Sequence, residues 1–114
     1  MRDDAGRLQD MLEAIEKVED RLTKDREAFS DDELLQVWAV HHLQIIGEAA
    51  NRLSEALTSS HPEVAWARIV GMRNVLIHDY VAIDLDIVWL AVQRDLPLLK
   101  RQLQDILKGL PPPS

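Results

Sequence analysis

The sequence contains no cysteine. Disulfides and thiolate metal sites are therefore excluded, and the chain is compatible with a reducing cytoplasm. Long apolar runs are also missing, and none approaches the roughly 18 residues of a membrane span. The first ten residues, MRDDAGRLQD, are charged and have no apolar core, so no signal peptide is read there. The expectation is a cytoplasmic protein with no membrane partner. Glycine is scarce, and IVGMRN, with its single glycine, is no phosphate-cradling loop. Among the few aromatics, Trp38, Trp66 and Trp89 are read as core or interface anchors rather than a base-stacking platform.

An excess of basic charge is absent too. The net charge is -7, with the acidity concentrated at the start. Residues 1–33 hold twelve acids and six bases, hence -6, and residues 34–114 hold eight acids and seven bases, hence -1. A broad electrostatic footprint for duplex nucleic acid is not expected. A local basic site in the second half stays open. The paired histidines His41 and His42 suggest metal at first sight. Adjacent residues on a helix point about 100° apart, however, whereas metal ligation favours a spacing of four. Neither a metal nor a cofactor is expected.

Helical periodicity runs throughout the chain, and no segment reads as a strand. Leu8, Met11, Leu12, Ile15, Val18 and Leu22 recur at three and four residues and predict a first helix over about 3–26. Ser30 and Glu33 read as a capping box opening a second, long helix over about 31–58. Its apolar face includes Leu35, Trp38, Ala39, Ile46, Ala49, Ala50, Leu53 and Leu57. Ser60 and Glu63 suggest another cap, with a third helix over about 62–80 and a break near Trp66. Asp84 caps a fourth over about 84–108, with Pro97 predicting a kink and Gly109 a stop. The fold class is all-α, a bundle of four to five helices with antiparallel neighbours. Residues 1–108 form one helical domain, and 109–114 a flexible proline-rich tail. A domain of this length gains from extra burial through oligomerisation.

The segment GMRNVLIHDY, residues 71–80, threads polar groups through an apolar helix. At about 100° per residue, Arg73 and Tyr80 fall on one stripe amid Ile69, Val70, Leu76 and Ile77. Asn74 and His78 form a second stripe, shared with Gly71, which permits close approach by a backbone or ligand. A guanidinium centred in an apolar arc is costly unless paired, and Glu48 is the candidate partner. Arginine, amide, imidazole and phenol within eight residues suit chemistry on phosphate. Guanidinium stabilises charge on phosphoryl oxygens, and imidazole moves a proton near neutrality. A single imidazole leaves metal-free cleavage one acid or base short. His42 lies on the core stripe and is read as structural, His61 as exposed, and His41 as polar-facing. A two-fold partner would supply a second Arg73 and His78.

RNVLIHDY matches Arg-x4-His-x-Tyr, and in this the chain resembles the HepT-like toxins of the HEPN superfamily. IIGEAANRL (45–53), the Pro62 and Trp66 pair, IVGMRN (69–74), IDLDIVW (83–89) and DLPLL (95–99) follow in the family's order, so the resemblance covers about residues 8–107. PEVAW departs from it, since members often place proline directly before the tryptophan. The resemblance implies an all-helical homodimer joined through the motif helices. It implies a metal-independent endoribonuclease, the toxin of a toxin–antitoxin pair, with RNA and not DNA as substrate. Arg73 and His78 are then catalytic, with Asn74 and Glu48 in support, and Glu48 is equally placed to pair with Arg52. The partner is a minimal nucleotidyltransferase antitoxin that transfers AMP from ATP to Tyr80 and silences the toxin. The alternative is a non-catalytic HEPN subunit that binds such a nucleotidyltransferase or a nucleotide.

Overall fold

The computed structural model describes residues 3–22, 25–75 and 84–110, with the side chains of Asn74 and Val75 outside that description. All regular structure among the described residues is helical: α1 (Asp4–Arg21), α2 (Arg26–Asp31), α3 (Glu33–Asn51), α4 (Glu55–Ser60), α5 (Trp66–Val75), α6 (Leu85–Leu90), a π-helical turn (Ala91–Asp95) and α7 (Leu96–Gly109). The sequence therefore folds into the expected all-α bundle, with two short helices added to its long ones. α3 lies at the centre, packed against α1 on one side and α5 on the other. The periodic stripes form the core, with Leu8, Met11, Ile15, Val18, Leu43, Ile46, Leu96, Leu99 and Leu103 all essentially inaccessible. Removal of that apolar surface from water is the main favourable term in folding.

Several helix ends differ from the sequence reading, and capping chemistry explains each. The second helix begins not at Ser30 but after Asp32, whose carboxylate accepts from Leu35 N at 3.0 Å. Asp25 does the same for α2, and Ser30 lies inside that helix. A carboxylate at a helix start also meets the positive end of the dipole. The expected long helix over 31–58 is broken after Asn51. Ser54 caps α4 through Leu57 N, and Asp4 of α1 holds Ser54 N at 2.9 Å and Oγ at 2.6 Å. The Ser60 cap does not form, because its hydroxyl donates back to Ala56 O at 2.7 Å. α5 starts instead at Trp66, where the indole Nε1 donates to the His61 carbonyl at 2.9 Å.

Asp84 caps α6 as expected, accepting from Asp86 N and Ile87 N. The irregularity expected at Pro97 takes the form of the π turn just before it, where Leu96 N reaches back to Ala91 O. Proline lacks the N–H for the normal ladder, and the wider turn absorbs the mismatch. It also presents Asp95 to Arg68 of α5 at 2.9 Å, tying that helix to the C-terminal one. No helix among the described residues is long and apolar enough to cross a membrane.

Candidate functional site

The seam between α3 and α5 positions the motif arginine. It closes at Gly47, where a Cβ would stand 2.8 Å from Arg73 N, 3.0 Å from Ile69 O and 3.2 Å from Arg73 Cβ. The backbone of α5 thus rests directly on α3, which only glycine allows. Ile69 and Met72 fill the apolar side of this contact. The close approach that the sequence suggested at Gly71 is found at Gly47, since Gly71 has nothing within 4 Å of its Cβ position.

Glu48 follows Gly47 and is therefore delivered to the same place. Its Oε2 lies 3.4 Å from Arg73 Nη1, and its Oε1 lies 3.4 Å from Arg52 Nε. One carboxylate is shared between two guanidinium groups, one on its own helix and one across the seam. Both contacts are long, and Glu48 is half exposed. Solvent screens such a pair, so it stabilises the fold by only about 0–1 kcal/mol. The Arg73 side chain is 31% exposed, and its Nε is buried with no hydrogen-bond partner among the described residues. A guanidinium presents five donors in a planar fork suited to phosphate oxygens. Among the described residues one 3.4 Å contact to Glu48 holds the Arg73 guanidinium, a weak hold for a group with five donors.

The structure brings together Arg73 and Glu48 of the residues singled out in the sequence. Asn74 belongs to α5 next to Arg73, with its side chain outside the described residues, and His78 and Tyr80 lie outside them altogether. Of the other histidines, His41 is exposed, and His42 is buried with its Nδ1 2.8 Å from the Trp38 carbonyl. His61, expected to be exposed, is half-buried and pairs with Glu63 at 3.1 Å. No cluster of three metal-ligating side chains occurs among the described residues. Sequence reasoning passed over Gly47 and the Arg68–Asp95 tie. For Gly47 a signal existed, because Gly47 and Ala50, three residues apart, put two small residues on one helix face.

Comparison with known proteins gives the same picture of kinship. A family model described as "Ribonuclease HepT-like" matches residues 11–106. A protein of Thermococcus cleftensis named "Probable ribonuclease HepT" is 35% identical over 103 residues, 89% of this chain and 93% of the relative. A Methanocaldococcus jannaschii protein named "Putative RNase MJ1380" is 33% identical over 105 residues, 90% of this chain and 95% of the relative. No solved structure matches the chain. With the family model and these relatives each matching most of its length, the chain belongs to the HepT-like ribonucleases of the HEPN superfamily.

Proposed function

We propose that the protein is a metal-independent endoribonuclease and the toxin of a toxin–antitoxin pair. Support comes from Arg73, which sits on the helix seam closed at Gly47 with its Nε unpartnered among the described residues, five residues before the motif histidine. In this mechanism Arg73 binds the scissile phosphate and stabilises the charge that builds on its oxygens. His78 removes the proton from the 2'-hydroxyl, which attacks the adjacent phosphorus, and the 5'-oxygen leaves with a proton from a second acid. Pairing of two chains supplies that acid as the other copy of His78. Gly71, with open space above it, and exposed Ile87 and Leu90 give α5 and α6 an apolar side suited to such a homodimer. Glu48 holds Arg73 until phosphate displaces it, and Asn74 supports the site. DNA lacks the 2'-hydroxyl and is not cut.

The purified chain is expected to cleave RNA in excess chelator, and His78→Ala to lose activity by at least about 100-fold. Cleavage that disappears with chelator and returns with magnesium would overturn the mechanism, as would full activity of His78→Ala.

Control is proposed to act at Tyr80, two residues beyond His78. A minimal nucleotidyltransferase transfers AMP from ATP to the phenol oxygen, releasing pyrophosphate. The added phosphate competes for Arg73 and repels the RNA backbone, while the nucleoside blocks His78. Co-expression with such an enzyme is expected to add the mass of AMP at Tyr80 and abolish cleavage, and Tyr80→Phe is expected to stay unmodified and toxic. Peptide mass spectra locate the group, and modification elsewhere, or full activity of chains modified at Tyr80, would contradict this control.

A further inference from the structure

A cleft of about 330 Å³ lies between α1 and α3, within the size range of small-ligand sites. Its charged lining is Arg7, Asp10, Glu13 and Lys17 from α1 and Glu48 and Arg52 from α3, with His42 beside them. Two observations separate it from an ordinary seam between helices. The first is His42, only 4% exposed, whose ring forms part of the wall. A carbonyl oxygen can only accept, so the Nδ1 facing Trp38 O carries the proton, and Nε2 is the ring nitrogen left to meet a ligand. The second is Arg7, whose Nε is buried without a hydrogen-bond partner among the described residues. Such a group costs free energy unless something engages it.

Glu48 links the cleft to the motif site, because it lines the cleft and also pairs with Arg73 at 3.4 Å. Six residues of α3 separate Glu48 from His42, about 9 Å at 1.5 Å per residue, which is the reach of roughly one nucleotide. Cations alone would suit a simple anion. Three cations beside three carboxylates and an imidazole suit a nucleotide, whose phosphate is anionic and whose base carries N–H donors that carboxylates accept. The link to Arg73 favours a nucleotide within a strand over a free one.

We propose that this cleft binds the nucleotide next to the scissile phosphate of the RNA. With the cut phosphate on Arg73, the neighbouring residue of the strand lies along α3. Its phosphate meets Arg7 and Arg52, its base edge donates to His42 Nε2, and Lys17 meets the next phosphate at the far end. The placement rests on the ribonuclease reading above, and the test separates the two.

The probe is a short 2'-O-methyl oligoribonucleotide, which has no free 2'-hydroxyl and is not cut. It is titrated into the full chain and into Arg7→Gln, Lys17→Gln and Lys108→Gln, with circular dichroism as the check on folding. Lys108 is exposed near the end of α7 and does not line the cleft, so it matches the charge change only. Arg7→Gln and Lys17→Gln are each expected to weaken binding about tenfold, and Lys108→Gln to leave it unchanged. In the wild type, the ¹⁵N resonance of His42 Nε2 should move on binding. Equal affinity in all four chains with a stationary His42 resonance overturns the proposal, and so does a wild type that binds no oligonucleotide. Free AMP moving the His42 resonance where the oligonucleotide does not overturns the strand assignment. Cleavage of unmodified RNA, run alongside, isolates the other reading. A wild type that cuts RNA while the cleft variants bind normally removes the cleft alone, and a wild type that binds through the cleft without cutting removes the nuclease alone.

Discussion

Arg73→Ala is expected to lower RNA cleavage by about 100- to 1,000-fold, the usual cost of removing a donor that stabilises transition-state charge. Stability should barely change. The ion pair lost among the described residues is a 3.4 Å contact between partly exposed groups, and such pairs contribute about 0–1 kcal/mol. Glu48 is not stranded by the substitution, because Arg52 remains 3.4 Å from its other oxygen. Arg73→Lys should recover little, since a point charge lacks the planar fork that meets two phosphate oxygens. The proposed homodimer adds a further expectation. Mixing Arg73→Ala with His78→Ala chains should restore part of the activity if each site draws on both copies. Kinetics on RNA, with thermal unfolding of the same samples, decide the matter. Near wild-type cleavage by Arg73→Ala would remove the proposed role, and activity lost only in step with unfolding would reduce Arg73 to a structural residue.

The sequence exposed some parts of this protein and hid others, and the physics of each part explains the division. The core was legible because burial on a helix imposes a period, and Leu8, Met11, Ile15, Val18 and then Leu96, Leu99, Leu103 keep that period to the residue. Helix ends were less legible because several side chains compete to cap. SDDE offers Ser30, Asp31 and Asp32, and the spacing of Ser30 to Glu33 pointed to the wrong one. The break after Asn51 depends on Asp4, fifty residues away, gripping Ser54, which no local pattern announces. Within the site, the pairing of Arg73 with Glu48 could be anticipated because a charge in an apolar arc demands a partner. The reason that they meet could not. It lies in the packing of two backbones at Gly47, a tertiary contact that leaves only a glycine in the sequence. His78 and Tyr80 fall outside the described residues, so their case rests on the motif and on family membership.

Gly47 carries the other large effect. In an exposed helix interior, exchanging glycine for a larger residue that favours helix gains up to about 1 kcal/mol. Gly47→Leu is expected to do the reverse and destabilise strongly. Even a Cβ would meet Arg73 N at 2.8 Å and Ile69 O at 3.0 Å, and both are backbone atoms that cannot rotate away. Relief requires α5 to lift off α3, uncovering Ile69 and Met72. Overpacking of this kind costs about 1–3 kcal/mol, with lost apolar burial added to it. Gly47→Ala should show a smaller loss in the same direction, because the helix gain offsets part of the clash. Gly109→Ala is the contrast, since nothing among the described residues lies within 4 Å of that position. It should unfold at or slightly above the wild-type denaturant midpoint, with Gly47→Ala below it and Gly47→Leu lowest. Cleavage should fall more steeply than stability across the Gly47 pair. Lifting α5 moves Arg73 away from Glu48, and a displacement of about 1 Å at a catalytic group can cost about 100-fold. Measured under conditions where each chain is fully folded, Gly47→Ala with wild-type stability and wild-type cleavage would show that the seam does not set the position of Arg73.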